Sequence, residues 1–156
     1  MEKLRVIQIG TGPTVHAAHA ATALRGLSEL YTLEAIVEED AARREEIRNT
    51  PPYAGLPFIS WEEALQRKPD AFIVETDEAK LVETAIRSLE AGYHTYMDKP
   101  GSQNSEQFHR MCNLAKEKNL VLTLGYMFRG NPAVRYALDL KNQGKLGRIF
   151  SVEGQM

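Results

Sequence analysis

The chain has 156 residues, 19 basic against 21 acidic side chains and one cysteine, which sets a prior of one domain with one core. The near-neutral balance gives no long-range field to draw nucleic acid or an anionic membrane, and no apolar stretch approaches a membrane span. Cys112 has no partner for an internal disulfide, and the charged start Glu2-Lys3 leads into no signal-peptide core, so a globular cytoplasmic protein is expected.

Residues 4–9 are apolar and rich in β-branched side chains, and they stop at Gly10, which reads as a buried parallel strand. An alanine-rich helix is predicted over 15–24, capped by Thr14. A second strand follows at 32–37. Asp40 then caps a short charged helix over 41–48, and 49–57 is a loop by its proline and glycine density. Phe58-Ile59 reads as a short strand, and Ser60-Trp61-Glu62-Glu63 is a capping box opening another helix. Strand 71–74 precedes a helix over 79–91, whose Leu81, Val82, Ala85, Ile86 and Leu89 form one apolar stripe ended by Gly92. A strand at 93–97, a helix over 105–118 and a strand at 120–124 continue the alternation; Cys112 on that helix reads as a buried small hydrophobe. This rhythm is that of a doubly wound parallel α/β sheet. It then breaks. Residues 125–130 form a loop, Asn131-Pro132 opens a helix ending near Gly144, and 149–155 alternates like a strand with one wet face, the opening strand of a second domain.

Two local features carry chemistry. The first strand, Gly10-Thr11-Gly12 and the helix make a phosphate-binding unit. Gly10 allows the tight turn, Gly12 lets a pyrophosphate approach the backbone, and the helix start offers unpaired N–H groups. Gly10, Thr11, Gly12, Pro13 and Thr14 are therefore expected to hold a dinucleotide; Val15 replaces the third glycine of the fingerprint, which touches packing rather than phosphate. The second feature is Asp98-Lys99-Pro100, closing a strand where charges face the ligand crevice and proline turns the chain out of the sheet. His16 and His19 share a helical face with no evident third ligand, so no metal site is expected.

Gly10-Thr11-Gly12, Glu38, Glu90-Ala91-Gly92-Tyr93-His94, Asp98-Lys99-Pro100, the Gly125–Pro132 block and Gly144-Lys145-Leu146-Gly147-Arg148-Ile149 together resemble the glucose-fructose oxidoreductase / inositol dehydrogenase / MocA family. The resemblance covers essentially the whole chain. It implies a Rossmann domain binding NAD(P), an antiparallel second domain supplying most of the substrate pocket, and hydride transfer to or from a sugar, inositol or related polyol. It also implies roles. Lys99 would bond the reacting oxygen and move its proton, with Asp98 steadying the ammonium. Arg129 would meet substrate or the nicotinamide carboxamide. Glu38 would accept from the adenosine ribose and repel a 2′-phosphate, so NAD is expected, with Arg43 and Arg44 keeping NADP open. Glu75 and Thr76 would fall beside the nicotinamide ribose.

Three departures stand out. Asp98 replaces the usual glutamate, Glu75-Thr76-Asp77 replaces a Thr-Pro-Asn-like turn and the histidine after it, and Ala18 stands where a histidine is expected. Because family enzymes are more than twice as long, the expected division is a Rossmann domain at 1–125, a connecting loop and helix at 126–148 and a truncated substrate domain at 149–156. That division predicts incomplete activity and self-association into a homo-oligomer through the exposed last strand. The alternative is a stand-alone dinucleotide-binding module or redox sensor without turnover.

Overall fold

A computed structural model of the chain describes residues 2–12 and 15–154. It divides into two compact units, the first ending at Gly125 and the second starting at Tyr126. The first unit alternates β1 (Leu4–Ile9), α1 (Val15–Gly26), β2 (Tyr31–Val37), α2 (Ala41–Ile47), β3 (Phe58–Ile59), α3 (Trp61–Arg67), β4 (Ala71–Val74), α4 (Glu78–Glu90), β5 (His94–Met97), α5 (Ser105–Glu117) and β6 (Leu122–Leu124). The strands form one sheet in the order β3-β2-β1-β4-β5-β6, every neighbouring pair parallel. The chain winds outward from β1 to β3, returns to the middle and winds outward again from β4 to β6. The loops leaving β1 and β4 therefore diverge at the switch point, which is where doubly wound sheets open a ligand crevice.

The helix starts follow from local hydrogen bonding. Asp40 accepts from the Ala42 and Arg43 N–H groups at the head of α2, Ser60 and Glu63 close a reciprocal box at the head of α3, and Asn104 caps α5. Thr14, the expected cap of α1, lies outside the described residues. β1 is buried on both faces: Ile7 and Ile9 pack with Val37, Trp61 and Phe72, and Val6 packs with Ala21, Leu33 and Tyr53 on the other side. The predicted stripe of α4 joins Val74, Met97, Met111 and Ala115 in a third cluster. Cys112 is only half-buried, because Met111 and Ala115 take the inward positions of α5.

The second unit contains a 3-10 turn, Met127–Gly130, and α6 (Pro132–Asn142), capped by Asn131 with Pro132 in its first turn. The strand expected at 149–155 is not formed over 149–154; Phe150 and Val152 stand 94% and 88% exposed. An alternating segment becomes a strand only with a neighbour to complete its backbone ladder, and no described segment pairs with this one. The strand edge expected to drive self-association is thus absent among the described residues. None of the described helices is long and apolar enough to cross a membrane.

Candidate functional site

The two loops of the switch point touch at Gly10. Its φ is +83°, and a Cβ there would lie 2.6 Å from Thr76 Cγ2 and 2.7 Å from the Thr76 backbone nitrogen, so only glycine fits. Beneath it, the fully buried Gln8 donates Nε2–H to the carbonyls of Gly10 at 3.0 Å and Ala17 at 3.3 Å, tying the turn to α1. A cleft of about 290 Å³ opens above, lined among others by Gly10, Thr11, Glu38, Arg43, Thr76 and Asp77. Gly12 continues the turn, and Pro13 and Thr14 lie outside the described residues.

Glu38 stands at the end of β2 and is buried. Its Oε2 accepts from the Thr11 backbone N–H at 3.0 Å and from the Thr11 hydroxyl, and its Oε1 accepts from the Asp40 N–H at 2.9 Å. The carboxylate thus braces the glycine turn against the head of α2. Three bonds leave room for one more among the roughly four acceptor sites of a carboxylate, enough for a ribose hydroxyl. Arg43 reaches Asp77 at 3.5 Å across the cleft. The groove fits a dinucleotide: a glycine cradle a side chain would fill, and an acid at the end of β2.

At the other end of the groove, the β4–β5 ladder pairs Val74 with Met97, which sets Glu75 beside Asp98 one residue further on. Glu75 is 3% exposed; its backbone N–H donates to the Ile9 carbonyl at 2.8 Å, but its carboxyl has no hydrogen bond or ion pair among the described residues. Burial first, and the neighbouring Asp98 charge second, push its carboxyl up to about 8. Asp98 is bonded at 3.1 Å to Nδ1 of His16, on the first turn of α1. Gly125 permits this crowding, since a Cβ there would fall 2.6 Å from the Tyr96 hydroxyl and 2.9 Å from Asp98 Oδ1. The Tyr96 hydroxyl is itself raised, by burial and then by Glu75 and Asp98.

Lys99 is half-buried and has no ion pair among the described residues. The expectation that Asp98 steadies the Lys99 ammonium is therefore corrected: the partner of Asp98 is His16. Arg129 lies in the exposed 3-10 turn of the second unit. Sequence reasoning missed the His16–Asp98 bond and the bracing by Gln8; the one available signal was an amide-bearing residue inside an otherwise apolar strand.

The raised Glu75 carboxyl has a consequence for stability. Between its ordinary value near 4.5 and about 8, the folded chain holds a proton the unfolded chain has released. Folding stability is therefore expected to fall as pH rises through that window, by on the order of a few kcal/mol. Urea unfolding at pH 5.5 and 8.5 measures this, and Glu75→Gln should flatten the difference; an unchanged slope in the variant would assign the effect to another group.

The family model described as an oxidoreductase family with an NAD-binding Rossmann fold (Gfo/Idh/MocA) matches residues 4–126. A levoglucosan dehydrogenase of Pseudarthrobacter phenanthrenivorans is 34% identical over 88 residues, 55% of this chain and 23% of that protein. A dTDP-3,4-didehydro-2,6-dideoxy-alpha-D-glucose 3-reductase of Actinomadura kijaniata is 30% identical over 105 residues, 67% of this chain and 32% of that protein. Among solved structures, the WlbA dehydrogenase from Bordetella pertussis in complex with NADH and UDP-GlcNAcA superposes with a TM-score of 0.82 at 22% identity, covering 96% of this chain and 45% of that one. The scyllo-inositol dehydrogenase from Lactobacillus casei with bound NAD(H) and scyllo-inositol gives 0.78 at 23% identity, covering 95% and 43%. These two likenesses show the fold. The chain spans less than half the length of the proteins it matches.

Proposed function

This chain belongs to the oxidoreductase family with an NAD-binding Rossmann fold, and from that membership we propose that it supplies the cofactor-binding part of a sugar, inositol or polyol oxidoreductase. Bound NAD(H) supplies the hydride chemistry at its nicotinamide ring. Gly10, Thr11 and Gly12, with Pro13 and Thr14, cradle the pyrophosphate, and Glu38 bonds the adenosine ribose. Thr76 lines the path between the two halves, and Arg129 is assigned to substrate or carboxamide. Lys99 holds the reacting oxygen and moves its proton, while Asp98 is a positioning residue fixed by His16.

The observation that carries this reading is the Gly10–Thr76 contact at the switch point, which builds the crevice from two loops at once. The relatives' names point to carbohydrate and cyclitol substrates, and the proposed substrate class follows them. A cytoplasmic setting completes the reading, in keeping with a single half-buried cysteine.

Calorimetric titration with both cofactors tests the site, and NAD(H) is expected to bind more tightly than NADP(H). Glu38→Ala should narrow that gap by on the order of 1–3 kcal/mol, the scale of a charge-assisted hydrogen bond. Tighter NADP binding by the unaltered chain would instead assign Arg43 to the 2′-phosphate. A screen of sugars and polyols followed by NADH absorbance tests the chemistry. Cofactor binding without turnover is the expected result for these residues by themselves and fits both the cofactor-half and the module readings, whereas robust turnover would exclude a module without turnover.

A further inference from the structure

The proposed chemistry leaves Glu75 unused. The residue is 3% exposed, and its carboxyl sits beside Asp98 with neither donor nor cation bonded to it among the described residues. The two acids stand at the ends of β4 and β5, on the opposite side of β1 from β2 and Glu38. Glu38 marks the adenosine half of the groove, so the nicotinamide half falls over the ends of β4 and β5. A nicotinamide ring is positively charged when oxidised and neutral when reduced.

We infer that Glu75 and Asp98 form a charge-sensing floor under the nicotinamide that favours the oxidised cofactor, Glu75 releasing its proton when the cationic ring binds and keeping it when the neutral ring binds. The inference rests on the NAD(H) reading above. The step balances: the Glu75 O–H bond breaks, the proton passes to solvent, and the new carboxylate charge is matched by that of the ring. The Tyr96 hydroxyl and Asp98 share the space beside Gly125, His16 is bonded to Asp98, and Lys99 follows the pair in the chain. The hydroxyls of Tyr96 and of Tyr53, in the loop before β3, are both raised, burial being the first cause and the Glu75 charge a lesser one. Neither tyrosine brings positive charge. In the free protein burial and Asp98 hold the Glu75 carboxyl at about 8, so it carries its proton at neutral pH.

Calorimetry with NAD+ and with NADH, at pH 7 in two buffers of different protonation enthalpy, counts the protons exchanged. About one proton released with NAD+ and almost none with NADH is expected, with NAD+ affinity rising by up to about tenfold per pH unit from 6 to 8 and NADH affinity flat. Glu75→Gln should abolish the release and reduce the preference for NAD+ at pH 8 by about tenfold or more. In the free protein, a carbon-13 carboxyl resonance of Glu75 should titrate above pH 7. Equal proton counts for the two cofactor forms, or a Glu75 resonance titrating in the ordinary carboxyl range, would overturn the inference and leave the NAD(H) reading standing. Failure of both forms to bind would overturn the NAD(H) reading and the inference with it.

Discussion

Lys99→Ala is expected to lower turnover of a sugar or polyol by about a hundredfold or more while leaving NAD(H) affinity within a few-fold. The lysine follows β5 at the carboxyl edge of the sheet, where the crevice opens, and carries no ion pair among the described residues that would hold it elsewhere. A group that moves the reacting proton acts in the transition state, so its loss appears in kcat more than in cofactor binding. The measurement belongs to the catalytically active form of the protein, whether that is these residues or a longer chain containing them. Lys99→Arg is the informative companion. It keeps the charge but not an exchangeable proton near neutrality, so it should restore little of the rate. Turnover that survives Lys99→Ala within a few-fold would reduce the lysine to a turn residue.

The second large effect is expected at Gly10. Gly10→Ala should lower stability by about 2–5 kcal/mol, from the left-handed backbone at φ +83° and from a methyl group forced against the Thr76 backbone at 2.7 Å. It should also weaken NAD(H) binding more than tenfold, because relieving the overlap parts the two loops that form the crevice. Gly55→Ala is the control: φ there is +81°, but nothing lies within 4 Å of the added Cβ. The control should show the backbone penalty alone, roughly 1–2 kcal/mol, with cofactor affinity intact. Thermal unfolding and calorimetric titration of both variants separate the terms. Equal losses for the two glycines would mean that the Thr76 contact is relieved without disturbing the crevice.

The sequence by itself determined the parts of this protein that depend on neighbours a few residues apart. Asp40 and Ser60 cap helices because their side chains reach N–H groups two or three positions on, and the α4 stripe is visible because a helix repeats within four residues. The Gly10 turn was legible for the same reason, and with the alternation of strands and helices it carried the fold class. Its purpose was not legible, since Thr76, which forbids a side chain at Gly10, arrives from a different strand. The site's electrostatics were likewise decided only in three dimensions. Glu75 and Asp98 become neighbours through the β4–β5 register, and Asp98 finds His16 across 82 positions of sequence, in place of the adjacent lysine that the local motif suggested. Glu38 ends β2 as expected, but its bonds to Thr11 and Asp40 show it bracing the glycine turn as well. The run from Ile149 had strand periodicity and no strand formed among its described residues, because periodicity sets which face a side chain takes whereas a strand exists only with a hydrogen-bonded partner. Local pattern fixes elements and their ends; sheet register decides which charges meet, and how far a buried carboxyl departs from its value in water.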